Sequence, residues 1–326
     1  MTKAVFSTLA ILCLWVGVVG CGKKEKVTVL KLAHGLNTEH PVHKAMVVMA
    51  EKVAEKSQGA MRVDIYPSEQ LGSETKCLQQ LQNGELAMTK TSSSPLESFV
   101  EEMKVLGLPY IFRDNDHYWK VLLGPVGKEL LAAGTSQGLK GLCYYDAGAR
   151  SFYTVKTPVS TPNDLSGLKI RVQKSPVAFD MVKAMGASAT PIDWGELYTA
   201  LQQGVVDGAE NNAPSLYTSK HYEICKHYIL DEHTMPPDVL LISPVIWKRL
   251  TAEEQTILQE AVDESVTYQR KLWAEFEQQS MDEIRKAGVQ ITDVDKAPFR
   301  AKVQAMLKAY DGTPIGDMIK RIDEVQ

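Results

Sequence analysis

The sequence predicts an α/β protein of two lobes, in which mainly parallel sheets are flanked by helices. Three observations lead to this prediction. Strand-like and helix-like segments alternate along the chain, the alternation starts again near residue 148, and residues 252–287 contain neither Gly nor Pro. Such alternation is typical of parallel sheets with helices on their faces. Two such units in one chain favour a clamshell with a cleft between its lobes and a long helix across both.

The first residues form a targeting segment. Lys3 precedes the apolar run of residues 4–20, which is short for a membrane-spanning helix, and Cys21 follows it. The segment VVGC and the polar run GKKEK are typical of a bacterial lipobox, in which Cys21 is lipidated and becomes the mature N-terminus. We therefore expect a lipoprotein signal peptide over 1–20 and a tether over 21–26. An ordinary signal peptide or a short anchor helix is the alternative.

Composition excludes several classes of function. The chain has 326 residues with 44% hydrophobic side chains, which is enough for two cores, and a formal net charge of -4. No basic surface is predicted, so we expect no nucleic-acid partner. Cys77, Cys143 and Cys225 remain after processing, widely spaced and without a C-x-x-C pair, which argues against a zinc ribbon or a redox motif. Burial is the expected environment of these thiols.

The first unit alternates strands and helices. Its predicted elements are, in order, a strand over 26–35, a helix from Pro41 to about Gly59, a strand over 61–67, a helix that Ser73 caps, and a strand over 85–91 followed by the loop SSSP. Pro is favoured at the first position of a helix, because the N–H that it lacks has no helical partner there. The apolar residues after Pro41 recur at helical spacing, so this helix is expected to bury one face.

The second unit repeats the alternation. Its predicted elements are, in order, two strands with a Gly-containing break over 139–158, a turn and a strand over 161–172, a helix with Pro176 at its first position, a helix over 194–203 stopped by Gly204, and a short strand over 205–212 that runs into a loop. In the segment GLKIRV, apolar Leu168, Ile170 and Val172 alternate with Lys169 and Arg171, which is a strand pattern.

The long late helix begins at a capping box formed by Thr251 and Glu254. Apolar residues keep a helical period as far as Ile284, and the uninterrupted segment would span roughly 50 Å. That length exceeds one small domain, so the helix is expected to pass both lobes, and two helices joined at a kink are the alternative. The predicted first lobe comprises residues 27–147 and 237–277, and the second comprises 148–236 and 278–326.

Motifs for catalysis are missing from the sequence. There is no G-x-S-x-G, no H-E-x-x-H and no phosphate-cradling glycine loop. His40 and His43 have a metal-compatible spacing, but no third ligand stands out, so we predict no metal site and no cofactor. Asp207 and Glu210 are interpreted as solvated or structural carboxylates rather than as an acid/base pair.

Polar residues at predicted strand ends point to binding instead. Arg150 follows the Gly-containing break, Arg171 lies near the end of its strand, and Asn211 and Asn212 follow the last short strand. Ligands of open α/β folds bind outside the carboxyl ends of the strands. A guanidinium donates two parallel hydrogen bonds to a carboxylate, and Asn offers both a donor and an acceptor. From the residues alone, cleft binding and a surface salt bridge both stay open for each arginine.

Three long segments of the chain resemble one protein family. They are LGLPYIFRDNDHYWKV, TPNDLSGLKIRVQKSP and GASATPIDWGELYTALQQGVVDGAENN, and together they resemble the solute-binding proteins of TRAP (tripartite ATP-independent periplasmic) transporters. The similarity covers essentially the whole mature chain. It implies a periplasmic-binding-protein clamshell with a long helix across both lobes. It also implies that the protein captures an organic acid without catalysis and delivers it to an ion-driven membrane permease.

The resemblance also implies roles for single residues in the second lobe. The family's main carboxylate-binding arginine corresponds to Arg171 in LKIRV, and a second arginine corresponds to Arg150 in GAR. The family's EN after DG places a ligand-contacting asparagine at Asn211. Trp194 occupies a position where the family often has an apolar or aromatic residue lining the cleft, and a ring there can pack on the carbon skeleton of a ligand.

Further ligand contacts are expected from the first lobe. His40 lies at the first strand–helix junction, Glu74 begins the next helix, and Ser92, Ser93 and Ser94 follow the third strand. These side chains suit a polyhydroxylated acid better than a plain dicarboxylate. The segments NTEHPVHK, TSSSPLESF and YTSKHYE resemble the subgroup associated with sugar acids such as glucuronate and galacturonate.

The combined expectation is a monomeric, lipid-anchored receptor in the periplasm. Its expected partners are a small organic acid and the membrane subunits of a TRAP permease. A C4-dicarboxylate or another keto or sugar acid is the alternative ligand. Two other function classes stay open. One is an extracytoplasmic sugar-acid enzyme with His40, His43 and Glu74 as its candidate base or metal ligands, and the other is a ligand-sensing lipoprotein that docks to a signalling receptor.

Overall fold

The computed structural model of the protein describes residues 27–326, which form two sheets with flanking helices. The predicted signal peptide, the tether and Cys21 lie outside the described residues. The strands are, in chain order, β1 (Thr28–Ala33), β2 (Met61–Tyr66), β3 (Met88–Ser92), β4 (Lys140–Tyr145), β5 (Arg150–Thr154), β6 (Lys169–Val172), β7 (Ser188–Pro191), β8 (Gly208–Asn211), β9 (His227–Thr234), β10 (Asp238–Ile242) and β11 (Gln290–Asp293).

The helices include those predicted to start at Pro41, after Ser73, at Pro176 and after Thr251. They are α1 (Pro41–Lys56), α2 (Glu74–Gln82), α3 (Ser93–Leu96), α4 (Lys104–Gly107), α5 (Asn115–Leu123), α6 (Pro125–Ala133), α7 (Pro176–Ala184), α8 (Trp194–Gln202), α9 (Ala213–Thr218), α10 (Pro244–Trp247), α11 (Ala252–Lys286), α12 (Ala297–Lys308) and α13 (Pro314–Asp323). Both halves of the capping box of α11 are present, because the Thr251 side chain accepts from the Glu254 N–H and the Glu254 carboxylate accepts from the Thr251 N–H.

The two sheets are mainly parallel, as predicted. The first has the strand order β2-β1-β3-β10-β4, and the second has the order β11-β9-β5-β8-β6-β7. Within each sheet one strand is reversed: β10 runs antiparallel to β3 and β4, and β5 runs antiparallel to β8 and β9. The first sheet and its helices form the first lobe, and the second sheet and its helices form the second lobe.

Each reversed strand follows a crossing between the lobes. The two crossing segments, residues 146–149 and 235–237, connect β4 to β5 and β9 to β10. The carboxyl edges of the two sheets face each other. A chain that leaves one sheet at this edge therefore enters the other sheet at its carboxyl edge, and it runs antiparallel to the neighbouring strands there. For this reason Arg150 and Asp238, the first residues of β5 and β10, lie at the edges where the lobes face each other.

Helix α11 joins the lobes and is continuous over 35 residues, so the kinked alternative is wrong. Leu258 and Val262 pack in a core cluster of the first lobe, and Ile284 packs in a cluster of the second. Between them, the buried Gln269 side chain accepts from the Asp146 N–H at 2.8 Å and donates to the Asp146 carbonyl at 2.9 Å. Helix α11 therefore holds a crossing segment as well as both lobes.

The last helix departs from the predicted division into lobes. Ile315, Met318 and Ile322 of α13 lie in an apolar cluster of the first lobe, and Arg321 pairs with Glu129 of α6 at 2.6 Å. Residues 314–326 were assigned to the second lobe from the sequence, and their packing corrects this. The apolar face of α13 covers first-lobe side chains that are distant in sequence, which a local pattern does not reveal.

Two segments predicted as loops form short helices instead. SSSP begins α3, because the Ser92 hydroxyl accepts from the Ser94 N–H and caps the turn. The residues after β8 form α9, capped by Asn212, whose side chain accepts from the Ser215 N–H at 2.8 Å. Both helices start at the edge between the lobes.

Two further observations concern the described part of the chain. Its three cysteines, at 77, 143 and 225, are buried and carry no disulfide, as expected. Of the helices between residues 27 and 326, none combines the length and the apolar character that crossing a bilayer requires.

Candidate functional site

A cavity of about 40 Å³ lies between the lobes, at the facing carboxyl edges of the sheets. Its lining residues are Gly35, Leu36, His40, Glu74, Lys90, Ser92, Ala147, Arg150, Gln173, Trp194, Asn211, Asn212, Ser215 and Asp238. A smaller cavity of about 10 Å³ shares Glu74, Gln173 and Trp194 with it and is lined by Arg171. We call the two cavities together the cleft. Of the nine residues from which ligand contacts are expected, only Ser93 and Ser94 line neither cavity.

Arg171 is a buried cation without a carboxylate partner among residues 27–326. Its side chain leaves β6 and is 2% exposed. Nε donates to the Ile192 carbonyl at 2.9 Å, while the buried Nη1 has no hydrogen-bond partner in the described part of the chain. The guanidinium lies over the Trp194 ring, 5.7 Å from its centroid. Burial lowers the pKa of Arg171, but arginine stays charged, so a ligand carboxylate would complete its hydrogen bonding.

Arg150 is already engaged by protein groups. Its Nε and Nη2 donate to the Glu210 carboxylate, Nη2 also donates to the Glu210 carbonyl at 2.6 Å, and Nη1 donates to Asn211 Oδ1 at 2.8 Å. One N–H of Nη1 is left over from the five donors of the group. Arg150 thus lines the cleft, and most of its donors are held by a buried ion pair instead of the surface salt bridge that was one of the two alternatives.

The ion pair continues away from the cleft through His233. Its Nε2 lies 3.6 Å from the Glu210 carboxylate, and its Nδ1 lies 2.7 Å from Asp231. Burial alone would lower the pKa of His233, but the two carboxylates raise it to about 9. Burial alone would raise the pKa of Glu210, but the charges of Arg150 and His233 lower it to about 2. Glu210, His233 and Asp231 therefore fix Arg150 in place.

Asn211 and Trp194 complete the second-lobe side of the cleft. Asn211 Oδ1 accepts from Arg150 and from the Asn212 N–H, so its amide nitrogen is the group left for a ligand. Trp194 lines both cavities, and its ring lies close to the Arg171 guanidinium and to the His221 ring, whose centroid is 5.1 Å away. Asn212 has a structural role, because its amide nitrogen donates to the Ala147 carbonyl in a crossing segment at 2.8 Å.

His40 presents a neutral imidazole from the first lobe. It is the N-cap of α1, and its Nδ1 accepts from the Val42 N–H at 3.3 Å, which assigns the ring proton to Nε2. Nε2 lies 3.4 Å from the Ser215 hydroxyl of the second lobe. Burial and then the Lys90 charge hold the pKa of His40 well below its usual value. His40 therefore acts as a hydrogen-bond donor rather than as a cation.

The two histidines with metal-compatible spacing do not converge. His43 pairs with His34, whose Nε2 lies 3.0 Å from His43 Nδ1, whereas His40 faces the cleft. Within residues 27–326, no group of three or more His, Cys, Asp or Glu side chains is arranged to hold a metal ion.

A charged group that sequence reasoning missed lies beside His40. We call Lys90, Glu74 and Asp238 the lysine cluster. Lys90 Nζ lies 3.1 Å from Asp238 Oδ1 and 3.3 Å from Glu74 Oε1, and Glu74 Oε1 also accepts from the Ser92 N–H at 3.2 Å. A signal for Lys90 was present, since it is a charge in the middle of the strand MTKTS. The sequence contains no signal for Asp238, because the position of this residue depends on the crossing segment that precedes it.

The serines separate into one cleft residue and two buried ones. Ser92 Oγ lines the larger cavity and lies 3.3 Å from Gln173 Oε1 of the second lobe. Ser93 and Ser94 are buried in α3 and line neither cavity. The expected contact from Ser94 is therefore not supported by its position, because SSSP turns into a helix instead of following the strand outward.

Several hydrogen bonds cross between the lobes and hold them together around the cleft. Asn37 Nδ2 donates to the Thr218 carbonyl at 2.7 Å. Glu97 of the first lobe accepts from the Ser175 hydroxyl at 2.7 Å and from the Val177 N–H at 3.2 Å, at the N-terminus of α7. These two bonds tie Glu97 to the first turn of a second-lobe helix. The described arrangement is therefore a closed one.

Replacing Glu97 with glutamine should remove a pH-dependent loss of stability. Burial raises the pKa of Glu97 from 4.5 to about 8, although its hydrogen bonds oppose the rise. The folded protein then binds a proton that the unfolded chain releases, so its stability falls as the pH rises from about 5 to 8. The loss of unfolding free energy can reach at most about 1.4 kcal/mol for each unit by which the pKa is raised. We expect a loss on the order of 2 kcal/mol between pH 5 and pH 8. It stays below the maximum because water reaches the carboxyl group when the lobes part.

Urea denaturation at pH 5 and pH 8 measures this difference. Glu101→Gln is the matched control, because it changes an exposed carboxylate of the same lobe and should keep the wild-type pH dependence. If Glu97→Gln loses as much stability as the wild type between the two pH values, the buried carboxyl is not the titrating group.

A larger groove of about 1000 Å³ lies elsewhere and shares no lining residue with the cleft. Its lysine and arginine side chains are exposed or half-buried: Arg270 lies over the Trp119 ring at 4.1 Å, Arg300 lies over the Tyr110 ring at 4.8 Å, and Lys296 pairs with Glu232. The buried cation that lacks a counter-charge in the described chain is Arg171. The smaller cleft is for this reason the candidate site.

Comparison with known proteins was made on sequence and on structure. The family "Bacterial extracellular solute-binding protein, family 7" matches residues 32–313. A TRAP periplasmic solute-binding protein of Xanthobacter autotrophicus, solved with bound β-D-galacturonate, is 42% identical, has a TM-score of 0.88, and covers 91% of this chain and 100% of its own.

Two more relatives differ in the ligand that they carry. A TRAP periplasmic solute-binding protein of Chromohalobacter salexigens, solved with D-glucuronate, is 33% identical with a TM-score of 0.88, over 91% of this chain and 100% of its own. The C4-dicarboxylate-binding periplasmic protein of Rhodobacter capsulatus is 31% identical over 90% of this chain and 87% of its own. The three matches include two uronates and a C4-dicarboxylate as ligands.

Proposed function

Because the chain belongs to the bacterial extracellular solute-binding proteins of family 7, the receptors of TRAP transporters, we propose that its cleft captures a sugar acid. Glucuronate and galacturonate are the ligands that we favour. The observation that carries this proposal is the buried Arg171, whose Nη1 has no partner among residues 27–326. A carboxylate is the ligand group that a guanidinium binds with both charge and geometry.

In the proposed complex the second lobe holds the acid and the first lobe holds the hydroxyls. Arg171 binds the carboxylate, the Asn211 amide nitrogen donates beside it, and the Trp194 ring packs on the carbon skeleton. Arg150 contributes its remaining N–H and orients Asn211. His40 Nε2, Glu74 and Ser92 then supply a donor, an acceptor and a hydroxyl for the sugar hydroxyls.

Ligand entry requires the lobes to part. A cavity of about 40 Å³ has room for a few water molecules, which is less than a hexuronate needs. We propose that the predicted lobes, with residues 314–326 moved to the first, rotate about the crossing segments. A ligand that contacts both lobes favours the closed state because it makes more contacts there. We further propose that the TRAP permease recognises that closed form.

The proposal also covers the fate of the ligand and the attachment of the protein to a membrane. We propose that the protein releases its ligand unchanged, and that Cys21, in VVGC, carries a lipid that anchors this extracytoplasmic receptor to a membrane. Labelling of growing cells with a radioactive fatty acid tests the anchor: label on the wild-type protein and none on Cys21→Ser supports it. Label on neither protein refutes it.

A thermal-shift panel tests the ligand class. Purified protein is melted with D-glucuronate, D-galacturonate, succinate, malate and a neutral hexose, and the ligands are recovered and analysed afterwards. We expect an increase in melting temperature with the uronates, because a ligand that binds only the folded state stabilises it by mass action. An increase with the dicarboxylates alone would favour the dicarboxylate receptor. Conversion of a uronate into another compound would favour the enzyme.

A further inference from the structure

The two ends of the cleft differ in charge. At the second-lobe end, Arg171 has no salt bridge to any group within residues 27–326. At the first-lobe end, Lys90 is matched by two carboxylates that both lie within 3.3 Å of its ammonium nitrogen. The side chains of Lys90, Glu74 and Asp238 are 2%, 14% and 9% exposed, so solvent screens their charges little.

The lysine cluster has no net positive charge in any protonation state that Glu74 can take. With both carboxyl groups ionised, one lysine and two carboxylates sum to -1. With Glu74 neutral, the sum is zero. Glu69 lies outside this cluster, because it lines the smaller cavity together with Arg171. A second carboxylate on a ligand would therefore meet no unpaired cation at this end.

The same cluster has hydrogen-bonding capacity for hydroxyl groups. Within residues 27–326, Glu74 Oε2 and Asp238 Oδ2 take part in no hydrogen bond, and Lys90 donates to one oxygen of each partner. Two carboxylate oxygens that accept and one ammonium N–H that donates suit adjacent hydroxyls, each of which both donates and accepts. An anionic group would instead face the two acceptor oxygens directly, which is repulsive.

We propose that the cleft selects acids with a single carboxylate, bound at Arg171, and that Glu74 and Asp238 reject a second carboxylate at the opposite end. This inference rests on the proposed function and sharpens it, since it separates monocarboxylate sugar acids from aldarates and C4-dicarboxylates. Discrimination of this kind requires a repulsive element as well as an attractive one, and the two unpaired oxygens of the lysine cluster are that element.

Calorimetric titration with three ligands of one carbon skeleton tests the proposal. D-Galacturonate has one carboxylate and closes into a ring, D-galactonate is an open chain with one carboxylate, and galactarate is an open chain with two. We expect the better of the two monoacids to bind at least 100-fold more tightly than galactarate. The comparison of galactonate with galactarate removes the effect of ring opening.

The double variant Glu74→Gln/Asp238→Asn should reduce the ratio of monoacid affinity to galactarate affinity at least tenfold. The change should come mainly from tighter binding of galactarate, because the variant leaves Lys90 as an unpaired cation. Glu101→Gln, at an exposed carboxylate of the same lobe, should leave the ratio unchanged. Galactarate binding to the wild type as tightly as the better monoacid overturns this inference but keeps a carboxylate receptor. Failure of both monoacids to bind while succinate or malate binds overturns the proposed sugar-acid function and this inference together.

Discussion

Arg171→Lys is expected to weaken uronate binding about 100-fold in calorimetric titration. Lysine keeps the positive charge, but it loses the two parallel N–H groups that match a carboxylate and the flat surface that lies on the Trp194 ring. Loss of a buried, charge-assisted pair of hydrogen bonds costs roughly 3 kcal/mol, which corresponds to about 100-fold in affinity. The lysine ammonium is also shorter in reach, so it leaves the ligand carboxylate partly unpaired.

A conservative arginine elsewhere provides the control for this change. Arg285 is exposed on α11 and pairs with Asp282 one turn away, so Arg285→Lys should bind the uronate like the wild type. The melting temperature of each unliganded variant shows whether the fold is kept. If Arg171→Lys is folded and binds the uronate as tightly as the wild type, Arg171 does not bind the carboxylate.

Glu210→Gln should destabilise the protein by roughly 3 kcal/mol. Glu210 is buried between Arg150 and His233, and the amide removes the negative charge that both cations face. Removal of one partner from a buried pair is costly because the remaining charge has no water to hydrate it. The variant should also lower the pKa of His233, which Asp231 and Glu210 together raise to about 9.

The matched control is Glu129→Gln, which breaks the exposed pair with Arg321 at the surface. An exposed pair contributes about 0–1 kcal/mol, so this variant should stay close to the wild type. Urea denaturation gives both free energies of unfolding, and NMR titration of the imidazole gives the pKa. If the two variants are equally stable, Glu210 and the charged groups that it contacts contribute no more to the free energy of unfolding than an exposed ion pair does.

Much of the fold was predictable because its signals are local. Pro41 and the capping box at Thr251 mark helix starts through groups that lie within four residues, and strand alternation around Arg171 depends on neighbours in the chain. The absence of Gly and Pro from 252–287 favoured one continuous helix over two helices joined at a kink. The position of Arg171 at a strand end placed it near the cleft before any contact was known.

The rest of the site depends on residues that are far apart in sequence. Lys90 and Asp238 are separated by 148 positions, and Glu97 contacts Ser175 at a separation of 78. No spacing rule connects such pairs, because their distance is set by where the crossing segments enter the sheets. Ser94 shows a different limit of local patterns, since a polar run predicted to be a loop after a strand forms a buried helix.

The sequence by itself determined the two-lobed α/β architecture, the long helix and the position of Arg171, because burial patterns and helix caps act over a few residues. Only the tertiary structure decided that the fork of Arg150 is held by Glu210, that α13 returns to the first lobe, and that Lys90 lies between two carboxylates. The contacts of Arg150 and of Lys90 follow from the two reversed strands, which bring the start of β5 and of β10 to the facing edges. The charge balance at each end of the cleft is a consequence of that crossing.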